Sequence, residues 1–484
     1  MNKKDLKPES VFHFFEEINN IPRPSKHEEK MIAYLKNFGG ERGLETIVDD
    51  TGNVLIRKPA TPGKEGAAKI VLQSHMDMVC DKLVDHDIDF LNDPIETYVD
   101  GEWMRAKGTT LGADDGIGCA IELAILDADN IEHGSIECLF TIDEETGLTG
   151  ANNLDGNMLK GEMLLNLDSE DEGLFYVSCA GGKTTTATFK YNNKVEAPKD
   201  MFFVTVSIKG LTGGHSGDDI NKKRANAIKI LARFLYLEQQ KYDIRLAEFN
   251  SGKLHNAIPR DGEITFAIPF AYREQVRVDW NVYCAEVEEE FLVTERNMQF
   301  HMETADAVNV IPQETGQRII RALQAMHHGV FSVVQDLSLG DLTETSSNLA
   351  VIKTGEKEMI IHTSQRSSVM SNLTNMVNTI TATFELAGAD IIVHNDGYPA
   401  WEMNPNSKLR DIAKACYTKL FGTQPTITGI HAGLECGLFS KRYPHLDMLS
   451  IGPTMRGVHS PDEKLHIPSV EKVYALVLEI LKNI

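Results

Sequence analysis

Two histidines and several carboxylates stand along this chain at places where their side chains can meet. His75 and Asp77 lie in SHMDMV, Glu144 and Glu145 in DEETG, Asp168 in LNLD, and His459 in GVHSPDE. Each follows, within a few residues, an apolar run that reads as a short strand: KIVLQS, IECLFTI, MLLNL and MLSIGP. In open α/β sheets ligands bind in the crevice beyond the carboxyl ends of the strands, so these ends, each delivering a histidine or an acid, point to one shared site. Asp114, in the glycine-rich turn GTTLGADDGIG, falls at the start of the next helix. Singly, such residues serve as loop histidines, acidic turns and helix caps. Together they do not, because acids stacked at one sheet edge repel unless a cation lies between them.

The elements that must position these residues have two textures. Ser25 and Glu28 read as a capping box before an amphipathic helix that Gly39-Gly40 stops. Strands are expected at 53–57, 69–74, 136–142 and 163–167, with an apolar-striped helix over 113–127. Apolar strands alternating with helices predict an α/β sheet covered on both faces. From about Gly181 strands alternate polar and apolar residues instead, as in FFVTVSIKG and GEITFAIPF, with long helices over 220–240 and 372–387. A Gly, Pro and Asn-rich linker at 394–405 precedes a return of the first texture, with helices over 407–420 and 470–481 and a strand at 448–451. The reading is a discontinuous α/β domain, residues 1–181 and 400–484, with an α+β domain inserted at 182–399.

Composition limits the partners. Lys+Arg 48 against Asp+Glu 71 leaves a net charge of −23. Nucleic acid and anionic membranes are bound through basic surface, so neither is an expected partner. The start, MNKKDLKPESVFHFFEEI, lacks the apolar core of a signal peptide. No run approaches the ~20 apolar residues that span a bilayer. Seven cysteines without a C-x-x-C pair argue for reduced thiols in the cytoplasm and against a thiolate metal site. GGKTT at 181–185 does not complete a phosphate loop, because its required earlier glycine position holds Val177.

HMDMV, GTTLGADDGIG, DEETG, LNLD and HSPDE, in that order, resemble the metal motifs of the M20 metallopeptidase family, and the resemblance extends over essentially the whole chain. It implies an α/β/α-sandwich zinc-peptidase domain carrying a ferredoxin-like lid as the insertion. It makes His75 and Asp168 ligands of one Zn²⁺, Glu145 and His459 ligands of a second, and Asp114 the bridge. Asp77 would orient the His75 imidazole, and Glu144 would be the general base. Co²⁺ or Mn²⁺ could substitute at such nitrogen and oxygen ligands. In the insertion, GGHSGDD places His215 in a motif that helps polarise the scissile carbonyl. HNAIP around Asn256, SQRSSVMS around Arg366, and HAGLECG with Gly433 and Glu435 resemble substrate-binding stretches. Whether His215 acts in its own chain or across a homodimer stays open.

The activity so implied is hydrolysis of dipeptides with free termini, Xaa-His among them. An aminoacylase or carboxypeptidase of the same family is the nearest alternative. A non-catalytic metal-binding scaffold is the alternative of another class, and it would have no chemical use for Glu144 beside Glu145.

Overall fold

The runs KIVLQS and IECLFTI become strands Ile70–His75 and Ile136–Thr141, buried at every position. A strand buried on both faces needs a sheet with cover on both sides. In this computed structural model, which describes residues 6–335 and 342–484, that sheet runs Glu45–Val48, Val54–Lys58, Ile136–Thr141, Ile70–His75, Met163–Asn166, Asp447–Ser450, Leu174–Cys179 and Thr426–Ile430. The first five residues of the segment read as lacking an export signal lie outside the described part. Ile136–Thr141, Ile70–His75, Met163–Asn166 and Asp447–Ser450 are parallel neighbours, so their carboxyl ends share one edge. Helix Ala113–Asp127 packs on Ile70–His75 and on helix Glu9–Asn19, while Lys408–Phe421 packs on Asp447–Ser450 and on Ile467–Asn483. Among the described residues, no helix is long and apolar enough to cross a membrane.

The chain divides into two units. The first comprises residues up to Ser178 together with Trp401–Gly429 and Leu434–Ile484, and the second Cys179–Ala400 with Ile430–Gly433. The sequence divides at 181–182 and at 399–400 by the change of texture. The second unit also claims four residues of the late segment, which the sequence reading had assigned wholly to the α/β domain.

The second unit carries its own sheet, in the order Gln299–Thr304, Met201–Lys209, Gly262–Pro269, Arg245–Ser251, Thr343–Thr354, Glu358–Ser367, Gly181–Lys190 and Ile391–His394. Gly329–Val333 also pairs with Thr343–Thr354. The described pairings in it are antiparallel. Met201–Lys209, helix Ala227–Glu238, Arg245–Ser251, Gly262–Pro269, helix Arg273–Glu290 and Gln299–Thr304 make one split βαβ, with its strands arranged fourth, first, third, second. Gly181–Lys190, helix Gln313–Ala325, Thr343–Thr354, Glu358–Ser367, helix Met370–Leu386 and Ile391–His394 repeat that order. The two copies join through Arg245–Ser251 and Thr343–Thr354. The ferredoxin-like pattern is therefore present twice, the first copy inserted after the first strand of the second. Residues 181–185 lie in strand Gly181–Lys190, not in a phosphate loop.

Two local expectations need correction. The helix expected from residue 220 begins at Ala227, because the Asn226 side chain accepts from Ile228 N and Lys229 N and caps it there. Ser25 and Glu28 form no capping box, and helix Glu29–Glu41 starts without a side-chain cap. Ser25 Oγ donates to Asp77 Oδ2 at 2.8 Å instead, a charge-assisted bond stronger than one to a neutral helix amide.

Candidate metal centre and active site

His75 ends its strand, Glu144 and Glu145 follow the strand that ends at Thr141, and Asp168 lies two residues past Asn166. Asp114 lies in non-helical backbone, at φ −83° and ψ 109°, near the start of helix Ala113–Asp127, and His459 sits on a loop in the left-handed region, at φ 62°. Asp114 joins the set into one cluster. Its Oδ1 lies 3.0 Å from His75 Nε2 and its Oδ2 3.1 Å from His459 Nε2. Asp168 Oδ1 is 3.5 Å from His75 Nε2, and Glu145 Oε2 is 3.0 Å from His459 Nε2. His75, Asp114 and Asp168 offer ligand atoms within 4.8 Å of one another, and so do Asp114, Glu145 and His459. His75, Glu144 and Glu145 form a third such group.

Electrostatics in this cluster are far from those of solvated side chains. Burial raises the Asp168 carboxyl well above its ordinary range, against the pull of His75, and Asp114 raises it further. Burial likewise raises Glu144, and the carboxylates of Asp168, Glu145 and Glu435 add to the effect. His459 is pushed up to about 11 by its bonds to Asp114 and Glu145. Glu145 Oε1 is buried without a hydrogen-bond partner. Two imidazoles and several acids with no thiolate, including an orphaned carboxylate oxygen, form a donor set that fits divalent cations such as zinc.

Asp77, singled out in the sequence, and Arg23 and Glu463, which were not, hold this cluster. Asp77 Oδ1 lies 3.3 Å from His75 Nδ1, and Asp77 also accepts from Glu144 N at 3.1 Å and Glu145 N at 3.3 Å. Burial alone would raise the Asp77 carboxyl, but these partners and Ser25 hold it below its ordinary value. Arg23, 1% exposed, donates to the backbone oxygens of Met76, Asp77 and Gly112 at 3.1, 2.8 and 2.5 Å. A Cβ at Gly112 or Gly116 would lie 2.6 or 2.5 Å from Arg23 Nη2, so the glycine-rich turn makes room for that guanidinium. Glu463, the last residue of HSPDE, accepts from Leu111 N, Gly112 N and Ala113 N at 2.7, 3.1 and 2.8 Å. An acid at a helix start suits the helix dipole, and this one ties the His459 loop to the Asp114 turn. Its presence inside a quoted motif was the only available signal.

The remaining candidates divide between the units. In the second, His215 lies on a two-residue strand that pairs with Ala257 next to Asn256. Ser216 N donates to the Asn256 backbone oxygen at 2.8 Å. His215 Nδ1 is 3.2 Å from Asp218 Oδ2, and its Nε2 is 3.3 Å from Arg366 Nη2. Arg366 Nη1 donates to Tyr398 Oη at 2.6 Å and its Nε to Ser216 Oγ at 3.4 Å. Gly433 faces the same tyrosine, whose Cε2 would be 2.8 Å from an added Cβ. Glu435 belongs to the first unit and is fully buried there.

Parallel strands whose carboxyl edge gathers His75, Asp114, Glu144, Glu145 and Asp168, with His459 beside them, form a candidate site for a metal-dependent hydrolase. The chain belongs to peptidase family M20/M25/M40, whose model matches residues 71–483. It is 40% identical to the cytosol non-specific dipeptidase of Escherichia coli, over 99% of this chain and 98% of that protein. The crystal structure of the aminoacylhistidine dipeptidase of Vibrio alginolyticus matches with a TM-score of 0.92 and 42% identity, over 100% of this chain and 98% of that one. The aminopeptidase PepT of Bacillus cereus shares the fold at a TM-score of 0.58 and 17% identity, over 99% of this chain and 98% of that one.

Proposed function

We infer that this chain is a cytosolic dipeptidase that hydrolyses dipeptides with both termini free, Xaa-His dipeptides among them, using two Zn²⁺ ions. The observation that carries the reading is Asp114, whose two oxygens meet His75 on one side and His459 on the other. A short acid so placed suits two cations about 3.5–4 Å apart. His75 and Asp168 would hold one, Glu145 and His459 the other, and Asp114 both. When bound, the pair polarises the scissile carbonyl and acidifies the attacking water. The names of the Escherichia coli and Vibrio alginolyticus relatives support dipeptides as substrates.

The chain's own groups do the rest. Glu144, whose carboxyl burial makes a stronger base, takes the proton from the attacking water and returns it to the leaving amine. Asp77 fixes the His75 ring and the Glu144–Glu145 turn through the same carboxylate. His215 donates to the developing oxyanion. Arg366, aimed by Tyr398 and Ser216, binds the substrate carboxylate through its planar fork.

The metal-loaded protein assayed on dipeptides and on N-acylated amino acids tests this reading. Turnover is expected for dipeptides and not for the acylated set. It should vanish on exhaustive chelation and return with Zn²⁺, Co²⁺ or Mn²⁺. Turnover of acylated substrates alone, or full activity after verified metal removal, overturns it.

A further inference from the structure

One acid beneath the ligand-bearing strand ends has no part in the reaction just derived. Glu435 opens helix Glu435–Arg442 and is 0% exposed. Its Oε2 accepts from Gln73 Nε2 at 2.6 Å and from Thr141 Oγ1 at 2.8 Å. Its Oε1 is buried without a hydrogen-bond partner. Gln73 stands two residues before His75 on the same strand, hence on the same face. Thr141 ends the neighbouring parallel strand, three residues before Glu144.

The bonds continue across the sheet. Gln73 Oε1 accepts from Asn166 Nδ2 at 2.7 Å, and Asn166 Oδ1 accepts from Ser450 Oγ at 2.5 Å and from Asp168 N at 3.4 Å. A polar belt thus crosses the parallel strands just below the ligands, with Glu435 at one end. Buried polar groups are costly unless bonded, and an apolar layer would pack here without that cost. Apolar packing is non-directional, whereas hydrogen bonds are directional and hold the groups they join in a defined arrangement. Burial pushes the Glu435 carboxyl up to about 7, which lessens its repulsion with the acids above it.

We propose that Glu435 is a positioning residue for the metal centre. By bonding Gln73 and Thr141 together it sets the separation of two strand ends, and with it the placement of His75 against the Glu144–Glu145 turn. This replaces the substrate contact that the HAGLECG resemblance implies for Glu435. The inference rests on the metal-centre reading above, so its test reads metal binding without turnover.

Competition with a chelating dye gives Zn²⁺ affinity, and the Co²⁺ absorption spectrum reports ligand geometry. Glu435→Ala should weaken affinity roughly 10–100-fold, the usual effect of removing support behind a ligand, and alter the Co²⁺ spectrum. Glu435→Gln, which keeps an acceptor oxygen for both partners, should recover affinity to within about threefold of wild type and restore the spectrum. Thr141→Val, nearly isosteric and lacking only the hydroxyl, should shift both readouts in the same direction by less. It carries the decision if Glu435→Ala does not fold. Wild-type affinity and spectrum in Glu435→Ala, or in Thr141→Val where it alone folds, overturn the proposal. A raised KM for dipeptides with unchanged metal binding also overturns it, in favour of a substrate contact. Failure of the wild type itself to bind metal would instead remove the reading on which the proposal rests.

Discussion

In the first unit, the His75 and Asp77 side chains are 1% and 0% exposed, at the end of a strand buried on both faces. In the second, the His215 and Asp218 side chains are 34% and 50% exposed, on a two-residue strand and the turn after it. The first arrangement is held by the sheet, by Arg23 and by Glu463, so the fold itself places its imidazole and carboxylate atoms. That is the preorganisation a charged reaction centre requires. The second rests on short-range bonds among His215, Asp218, Arg366 and Tyr398, which can re-form around a ligand. His75 and Asp77 are thus fixed by a buried strand end, whereas His215 and Asp218 depend on a short strand and turn. Substitutions in the two regions should therefore fail differently.

The largest effect short of metal removal is expected at Glu144. Glu144→Gln should retain the wild-type metal content by elemental analysis, while kcat falls roughly 10²–10⁴-fold, the worth of a positioned general base. Metal loss equal to that of Glu145→Gln would show that the two roles are reversed.

A smaller loss is expected across the divide. His215→Ala should fold, keep its metals, and lose about 10²–10³-fold in kcat, as for an oxyanion donor. Near-wild-type turnover would return His215 to an ordinary loop histidine. Mixing this variant with an inactive metal-site variant addresses the source of the histidine, since activity recovered on subunit exchange means supply in trans.

The smallest effect should appear only as a difference between substrates. A charge-assisted hydrogen bond contributes about 1.5–3 kcal/mol, so amidating the dipeptide carboxyl should cost wild type about 10–100-fold in kcat/KM. The same change should cost Arg366→Ala much less. Equal losses in both proteins would separate Arg366 from the substrate carboxylate.

The parts of this protein that could be read without a structure are those where one residue's chemistry suffices. Apolar runs such as KIVLQS announce buried strands because burial depends on side-chain type alone. His75, Asp114, Glu145, Asp168 and His459 point to a cation because acids gathered at one sheet edge repel without one. Tertiary structure alone decided which groups face one another. Ser25 has the sequence of a helix cap and instead bonds Asp77, 52 positions away. Gln73 and Thr141 look like ordinary strand residues, and Glu435 like part of a substrate loop, until packing sets Glu435 Oε2 2.6 and 2.8 Å from them. Glu463 reaches the glycine turn across 350 residues or more of chain. The doubled split βαβ was equally hidden, because its first strand is separated from its other elements by an entire copy of the same pattern. Periodicity reports only neighbours a few residues apart, whereas hydrogen-bond partners are chosen by distance in space. Patterning along the chain therefore fixes each element's buried face, and the packed sheet fixes which polar atoms can satisfy one another.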